Sequence, residues 1–143
     1  IEPTISTNVI CDKYRIRQVI RNLLSNAVRF SPEIKKITIS FESATLPKFP
    51  GSIGEDRPAL AVSIKDEGVG IPENELKTVF DKFIQSSKTK TGAGGTGLGL
   101  TICYEIVKCH GGEIRADNNP EGGAVFTFLL PYKPSPSIAA DKP

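Results

Sequence analysis

Apolar residues recur at helical spacing from Ile16 through Val19, Ile20, Leu23, Leu24 and Ala27 to Phe30. This spacing predicts an amphipathic helix, opened by Asp12 as N-cap and stopped by Ser31-Pro32. Residues 1–11 read as extended. Asn22, Asn26 and Arg29 stand at i, i+4 and i+7 on the same helix. At about 100° per residue they form a second, polar stripe roughly a third of a turn from the apolar one. Such a stripe is either a solvated edge or one side of a polar site. Residues 36–42 alternate, with Ile37, Ile39 and Phe41 on one face of a half-buried strand. Residues 46–58 hold three prolines and two glycines and read as a loop. Alternation returns over residues 59–66, with Leu60, Val62 and Ile64 on one side.

By that period Asp66 belongs to the apolar face, where a carboxylate is costly unless something pairs with it. The turn Glu67-Gly68-Val69-Gly70-Ile71-Pro72 follows at once. Two readings stand side by side: a ligand cradle with close backbone approach, and an Asx turn closing a hairpin. Residues 73–79 suggest a short helix, and Phe80 and Phe83 pin the following polar loop, residues 85–96, to the core. A helix is expected over residues 98–109, with Leu98, Ile102, Ile106 and either Cys103 or Cys109 inward, ended by Gly111-Gly112. Residues 113–117 form a strand and 118–123 a turn. A last strand over residues 124–130 places Phe126, Phe128 and Leu130 on one face. The Pro- and Ser-rich residues beyond Pro131 read as a disordered tail or linker. Residues 1–131 thus form one domain and residues 132–143 lie outside it.

Candidate chemistry concentrates where five glycines fall within the eight residues from Gly92 to Gly99, directly before a helix. Glycine admits close approach of a ligand to the backbone, and a helix N-terminus offers unpaired N–H groups at the positive end of its dipole. That combination suits phosphate. Gly92-Ala93-Gly94-Gly95-Thr96-Gly97 also fits G-x-G-x-x-G, with Asp117 about twenty residues on. A dinucleotide fold is excluded, because no strand precedes the glycines and the 26 residues after Asp117 are too few. No Lys follows in the Walker A place.

Composition narrows the class. The 143 residues suit one domain, and 38% hydrophobic with 24% charged residues is ordinary for a globular protein. A net charge of +2 argues against a nucleic-acid surface, and no apolar run is long enough to span a membrane. With no initiator Met and no signal-peptide pattern, the chain is expected to be a piece of a longer protein. Cys11, Cys103 and Cys109 form no C-x-x-C, which suggests reduced cysteines in a cytoplasmic setting. His110 is the single histidine, so no His–Cys metal site is expected and its own role reads as structural.

Four stretches now stand in one order: Asn22-x-x-x-Asn26-Ala27-x-Arg29-Phe30, Asp66-x-Gly68-x-Gly70-Ile71-Pro72, Phe80-Asp81-Lys82-Phe83 and Gly95-Thr96-Gly97-Leu98-Gly99-Leu100. They closely resemble the N, G1, F and G2 boxes of the catalytic ATP-binding domain of bacterial two-component sensor histidine kinases, in the Bergerat-fold superfamily. The resemblance runs from about residue 7 to Pro131, and Gly122-Gly123-Ala124-Val125-Phe126 is similar to the final glycine box.

The resemblance implies an α/β (α+β) two-layer sandwich: a mixed, mostly antiparallel sheet with helices on one face and ATP between them. It implies that Asp66 accepts a hydrogen bond from the adenine amine, with Gly68, Gly70 and Ile71 at the base edge. Asn26 is implied as a Mg²⁺ ligand with Asn22 as a second candidate, and both as catalytic-site residues. Arg29 is placed near the phosphates and Phe30 near the purine. Gly95, Thr96, Gly97, Leu98, Gly99 and Leu100 surround the polyphosphate, and residues 85–96 form an ATP lid. Lys88 or Lys90 could reach the γ-phosphate where some relatives place an Arg at position 85; both also fit solvated loop lysines. Position 124 is Ala where many relatives carry Ser or Thr on the adenine water network.

Asn22 separates relatives. Hydrolytic ATPases of the fold usually carry Glu there, and an amide cannot abstract a proton. The function implied is binding of Mg-ATP and donation of its γ-phosphoryl group to a histidine on a separate acceptor domain. Expected partners are the dimerisation and phosphoacceptor domain of the parent kinase and a response-regulator receiver domain. No nucleic acid is expected, and a membrane only through other parts of an inner-membrane-anchored parent.

Overall fold

The computed structural model describes residues 6, 8–30, 36–48, 54–80 and 99–133, without the side chains of Arg29 and Phe30. Helix α1 (Lys13–Phe30) is followed by β1 (Thr38–Leu46), β2 (Arg57–Lys65), a single 3-10 turn (Glu73–Glu75), α2 (Gly99–Cys109), β3 (Glu113–Asn118) and β4 (Ala124–Pro131). The strands form one sheet in the order β1-β2-β4-β3, and its three ladders are all antiparallel.

Helix α1 starts as its sequence asks. Asp12 Oδ1 accepts the N–H groups of Tyr14 (3.1 Å) and Arg15 (3.2 Å), two of the donors a helix start leaves unpaired. Ile16, Val19, Leu23 and Ala27 form the buried stripe, and Ile20 and Leu24 pack at its margin. They meet Leu60, Val62 and Ile64 of β2, Phe126, Phe128 and Leu130 of β4, and Cys103, Ile106 and Val107 of α2 in one core. Each such side chain contributes roughly 1.5–3 kcal/mol when fully buried. Across the sheet, Leu46, Ala59, Ala61 and Leu129 form a second, smaller cluster.

Several boundaries differ from the sequence reading. Strand β1 begins at Thr38 and runs to Leu46, and β2 begins at Arg57, so the loop is shorter than residues 46–58. Ladder pairing carries Pro58 into the strand opposite Thr45, and its carbonyl accepts the Tyr132 N–H at 3.1 Å. Ile39 and Phe41 are not half-buried: they are 44% and 46% exposed, because β1 is the sheet edge and α1 lies over β2. Only Ile37 of that alternation packs on the core. The expected helix over residues 73–79 is a 3-10 turn of three residues followed by turns. In α2 it is Cys103, not Cys109, that faces inward, joined by Val107. Tyr132, assigned beyond the domain, belongs to the fold through that backbone bond and a hydroxyl bond to Ser6 O at 2.8 Å. Residues 134–143 lie outside the described residues, as do Phe83 and the segment 85–96.

Helix α2 ends as predicted. Gly111 has φ +77, its N–H reaches Lys108 O at 2.9 Å, and the Gly112 N–H reaches Val107 O at 3.0 Å. This pair of bonds satisfies the last helical carbonyls and aims the chain into β3. A Cβ on Gly112 would stand 2.0 Å from Leu129 O, so the turn presses directly on β4.

Candidate functional site

The alternation of β2 carries through its end and buries Asp66, which is 5% exposed. Its Oδ1 accepts the Gly68 N–H (2.8 Å) and the Ala124 N–H (3.1 Å), and its own N–H donates to Ala124 O (2.9 Å). The Asx turn considered from the sequence is therefore present. It does not close a hairpin; it ties the glycine turn to the start of β4. Among the described residues no donor reaches Oδ2. A buried carboxylate oxygen without a donor is costly, so this position is suited to a donor from beyond the described residues.

The rest of the turn is pressed onto the β3–β4 hairpin. Gly70 has φ +75, a conformation open to glycine, and a Cβ there would lie 3.0 Å from Asn118 Oδ1. Gly123 has φ +89, and its Cβ would fall 2.1 Å from Asp66 O. Ile71 is buried; its N–H donates to Asn118 Oδ1 at 2.7 Å and its carbonyl accepts from Asn118 Nδ2. Asn118 was read from sequence only as part of a turn. Its one signal is an amide just past a predicted strand, four residues before Gly122-Gly123.

The polar stripe of α1 runs toward α2. Asn22 Nδ2 donates to Gly99 O at 3.3 Å, joining the middle of α1 to the first residue of α2. Nearby, the buried Cys103 thiol donates to Val19 O at 3.7 Å. Burial pushes that thiol up to about 11, so it stays protonated and is no nucleophile. Asn26 is half-buried, and among the described residues its amide makes no hydrogen bond. Arg29 and Phe30 occupy the last turn of α1, with side chains outside the described residues. Lys88, Gly95, Thr96, Gly97 and Leu98 also lie outside them. Gly99 begins α2 with nothing within 4 Å of an added Cβ, and Leu100 packs at the core margin. Behind Leu100, Thr101 Oγ1 donates to Phe80 O at 2.8 Å. The Phe80 ring meets Tyr104 and Phe126 at 6.1 and 6.2 Å, so the first Phe of its box is anchored to the core as expected.

The two remaining candidates are structural or apart. His110 donates from Nδ1 to Ile106 O (2.8 Å) and accepts the Asp12 N–H at Nε2 (3.0 Å), a single neutral tautomer linking the end of α2 to the cap of α1. A shallow groove lined by Arg17, Ile20, Arg21, Leu24, Ser25 and Val28 runs along the flank of α1 away from Asn22 and Asn26. Among the described residues no three His, Cys, Asp or Glu side chains gather as a metal site, and no helix is long and apolar enough to cross a membrane.

The arrangement fits a nucleotide. A buried acceptor with an oxygen no described residue donates to, a turn in which glycine is demanded by close approach, and an amide on α1 uncommitted among the described residues suit a purine, a polyphosphate and a hard cation. Residues 11–134 match the family described as histidine kinase-, DNA gyrase B-, and HSP90-like ATPase. The chain is 42% identical over 123 residues to sensor histidine kinase WalK of Bacillus subtilis, covering 85% of this chain and 18% of that protein. It is 36% identical over 130 residues to signal transduction histidine-protein kinase AfsQ2 of Streptomyces coelicolor, covering 91% and 22%. The chain thus spans about a fifth of the length of these relatives.

Among solved structures, the mycobacterial sensor histidine kinase MprB superposes with TM-score 0.74 at 29% identity, covering 89% of this chain and 78% of that one. The nucleotide-free catalytic domain of histidine kinase ThkA gives 0.68 at 32% identity, covering 89% and 73%. The family match over residues 11–134, the sequence identity and the superposed structures agree, and the chain belongs to the histidine kinase-, DNA gyrase B- and HSP90-like ATPase family as a histidine-kinase catalytic domain.

Proposed function

We propose that this chain binds Mg-ATP and donates the γ-phosphoryl group to a histidine on a separate dimerisation and phosphoacceptor domain of the same sensor kinase. The observation that carries the reading is Asp66: a buried carboxylate whose Oδ1 is fixed by two backbone N–H groups while Oδ2 meets no donor among the described residues. That oxygen would accept the exocyclic amine of adenine, with Gly68, Gly70 and Ile71 along the base edge. Guanine presents a carbonyl oxygen there, and two acceptors would face each other.

Asn26 would give its amide oxygen to Mg²⁺, which when bound neutralises charge on the phosphate oxygens. Arg29 and the glycines 95, 97 and 99 would line the phosphates, Phe30 the purine, and Thr96, Leu98 and Leu100 the same box; Lys88 would approach the γ-phosphate. Asn22 holds α2 in place through Gly99 O and cannot act as a general base. What these residues supply is orientation and charge stabilisation, and the proton chemistry is left to the attacking imidazole. The phosphoryl group then passes to a receiver domain of a response regulator. The domain itself would work in the cytoplasm, with any membrane anchor elsewhere in the parent.

The 143-residue chain is expected to bind Mg-ATP without labelling itself and without appreciable hydrolysis. Adding the parent's acceptor-helix domain in trans should produce acid-labile ³²P on that domain. Label on His110 of this chain, or rapid phosphate release, would overturn the reading. The second outcome would favour a hydrolytic ATPase, the role Asn22 argues against.

A further inference from the structure

We propose that Asn118 is a positioning residue for nucleotide binding: its carboxamide clamps the far end of the turn 66–71 and so fixes where Asp66 presents its free oxygen. This rests on the nucleotide-binding reading above. Both ends of the turn are held by one rung of the sheet, because Asn118 and Ala124 are directly opposed in the β3–β4 ladder. The backbone of Ala124 holds residue 66 twice, its carbonyl accepting the Asp66 N–H at 2.9 Å and its N–H donating to the side-chain Asp66 Oδ1 at 3.1 Å. Asn118 holds residue 71, accepting the Ile71 N–H at 2.7 Å and donating to the Ile71 carbonyl.

A carboxamide carries a donor and an acceptor side by side, as a peptide group does. It therefore stands in for one more backbone pair at a place where the strand itself has ended. The turn needs such a clamp. Gly68 and Gly70 leave its backbone more conformations to lose than any other residues would, so an unclamped turn would spend that entropy at the moment of binding. The clamp also explains why position 70 is glycine: a Cβ would sit 3.0 Å from Asn118 Oδ1 and 3.6 Å from Gly123 O. No other residue type of similar size makes both bonds. Asp lacks the donor and would set an oxygen against the Ile71 carbonyl; Ser reaches only one of the two.

The test compares wild type, Asn118→Ala, Asn118→Asp and Asn118→Ser as the 143-residue chain, with Mg-free ADP as the calorimetric probe. The expected result is a roughly tenfold weaker ADP affinity for Asn118→Ala and for Asn118→Asp, with melting within a few degrees of wild type. The Ile71 amide should exchange faster in both. In the double variant Asp66→Asn/Asn118→Ala, the second change should add less than twofold, because a clamp acts only through what it positions. With the acceptor domain added, Asn118→Ala should raise KM for ATP and leave kcat within twofold.

Equal ADP affinity in wild type and all three single variants overturns the clamp, and so does a full tenfold loss persisting in the Asp66→Asn background. If wild type itself binds no ADP, or binds GDP equally well, the nucleotide reading fails and the clamp with it. Should Asn118→Ala not fold, Asn118→Ser carries the same comparison, since its hydroxyl keeps one bond.

Discussion

The turn at residues 66–72 is held by strands, whereas the polar edge of α1 is held by helix packing. On the turn, every anchor is a ladder bond or its imitation: Asp66 on Ala124, Ile71 on Asn118, Gly70 and Gly123 pressed against their neighbours. On the helix edge, Asn22 makes one 3.3 Å bond to Gly99 O, and Asn26 makes none among the described residues. A ladder fixes backbone to within tenths of an ångström. A helix fixes Cα positions and leaves amide side chains several rotamers. On the proposed reading, the base-binding region would be formed before the ligand arrives, and the asparagine edge of α1 would find its partners in the ligand. On that reading, recognition of the base and handling of the phosphates would fall to parts of different rigidity.

The change that should most damage the strand-held region is Gly123→Ala. It forces a side chain to φ +89 and drives a Cβ to 2.1 Å from Asp66 O. A loss of about 3 kcal/mol or more is expected, on the order of a 10 °C fall in melting temperature, together with loss of nucleotide binding. Gly122→Ala is the control. Its φ of +106 is equally unfavourable, but nothing lies within 4 Å of its Cβ, so it should cost only about 1 kcal/mol. If differential scanning calorimetry gives the same loss for both, backbone strain and not close approach explains Gly123.

Asp66→Asn probes recognition with the anchors kept. The amide oxygen can still accept from Gly68 and Ala124, so melting should stay within a few degrees of wild type. The new NH₂ would meet the adenine NH₂, donor against donor, at about 1–3 kcal/mol or more. ADP affinity should fall at least thirtyfold by calorimetry; an unchanged affinity would remove Asp66 from the site.

Why the two regions were unequally legible in the sequence follows from the same contrast. Helix α1, its Asp12 cap and its asparagine stripe depend on spacing within one segment, and all were readable. So was the inward Asp66, because a strand's period of two fixes the face. Asn118 was not, since its partner Ile71 is 47 residues away and only the β2–β4–β3 order brings them together. Strand β1 failed for a related reason: alternation says which face is apolar, but not whether a helix covers it. Among the described residues none covers Ile39 and Phe41, which stay exposed, while Ile37 packs on the core. The choice between Cys103 and Cys109 likewise needed the packing of α1 on α2, which places Cys103 beside Val19 and Asn22.

Asn26→Ala turns to the helix edge. The amide makes no protein hydrogen bond among the described residues, so its loss should leave stability within about 0.5 kcal/mol. Affinity for ATP with Mg²⁺ should drop roughly tenfold, and Mg-free ADP binding should change less than twofold. Equal losses in both titrations would make Asn26 a structural residue and return the edge of α1 to solvent.

Gly99→Ala carries the smallest expected effect and the cleanest sign. Gly99 is the first residue of α2, and among the described residues an added Cβ would meet no atom within 4 Å. Its φ is not in the left-handed region, and only its backbone carbonyl takes part in the bond donated by the Asn22 side chain. Among the described residues nothing therefore asks for glycine here, in contrast to Gly70 and Gly123. Alanine is the better helix former, by up to about 1 kcal/mol in a helix interior and less at a first position. Melting should hold or rise slightly. If the polyphosphate approaches this helix start, the methyl group stands in its path, and Mg-ATP affinity should fall about three- to fivefold while stability does not. A variant that is more stable and binds Mg-ATP as well as wild type would show that the ligand does not come near Gly99, and would confine the phosphates to the α1 side of the site.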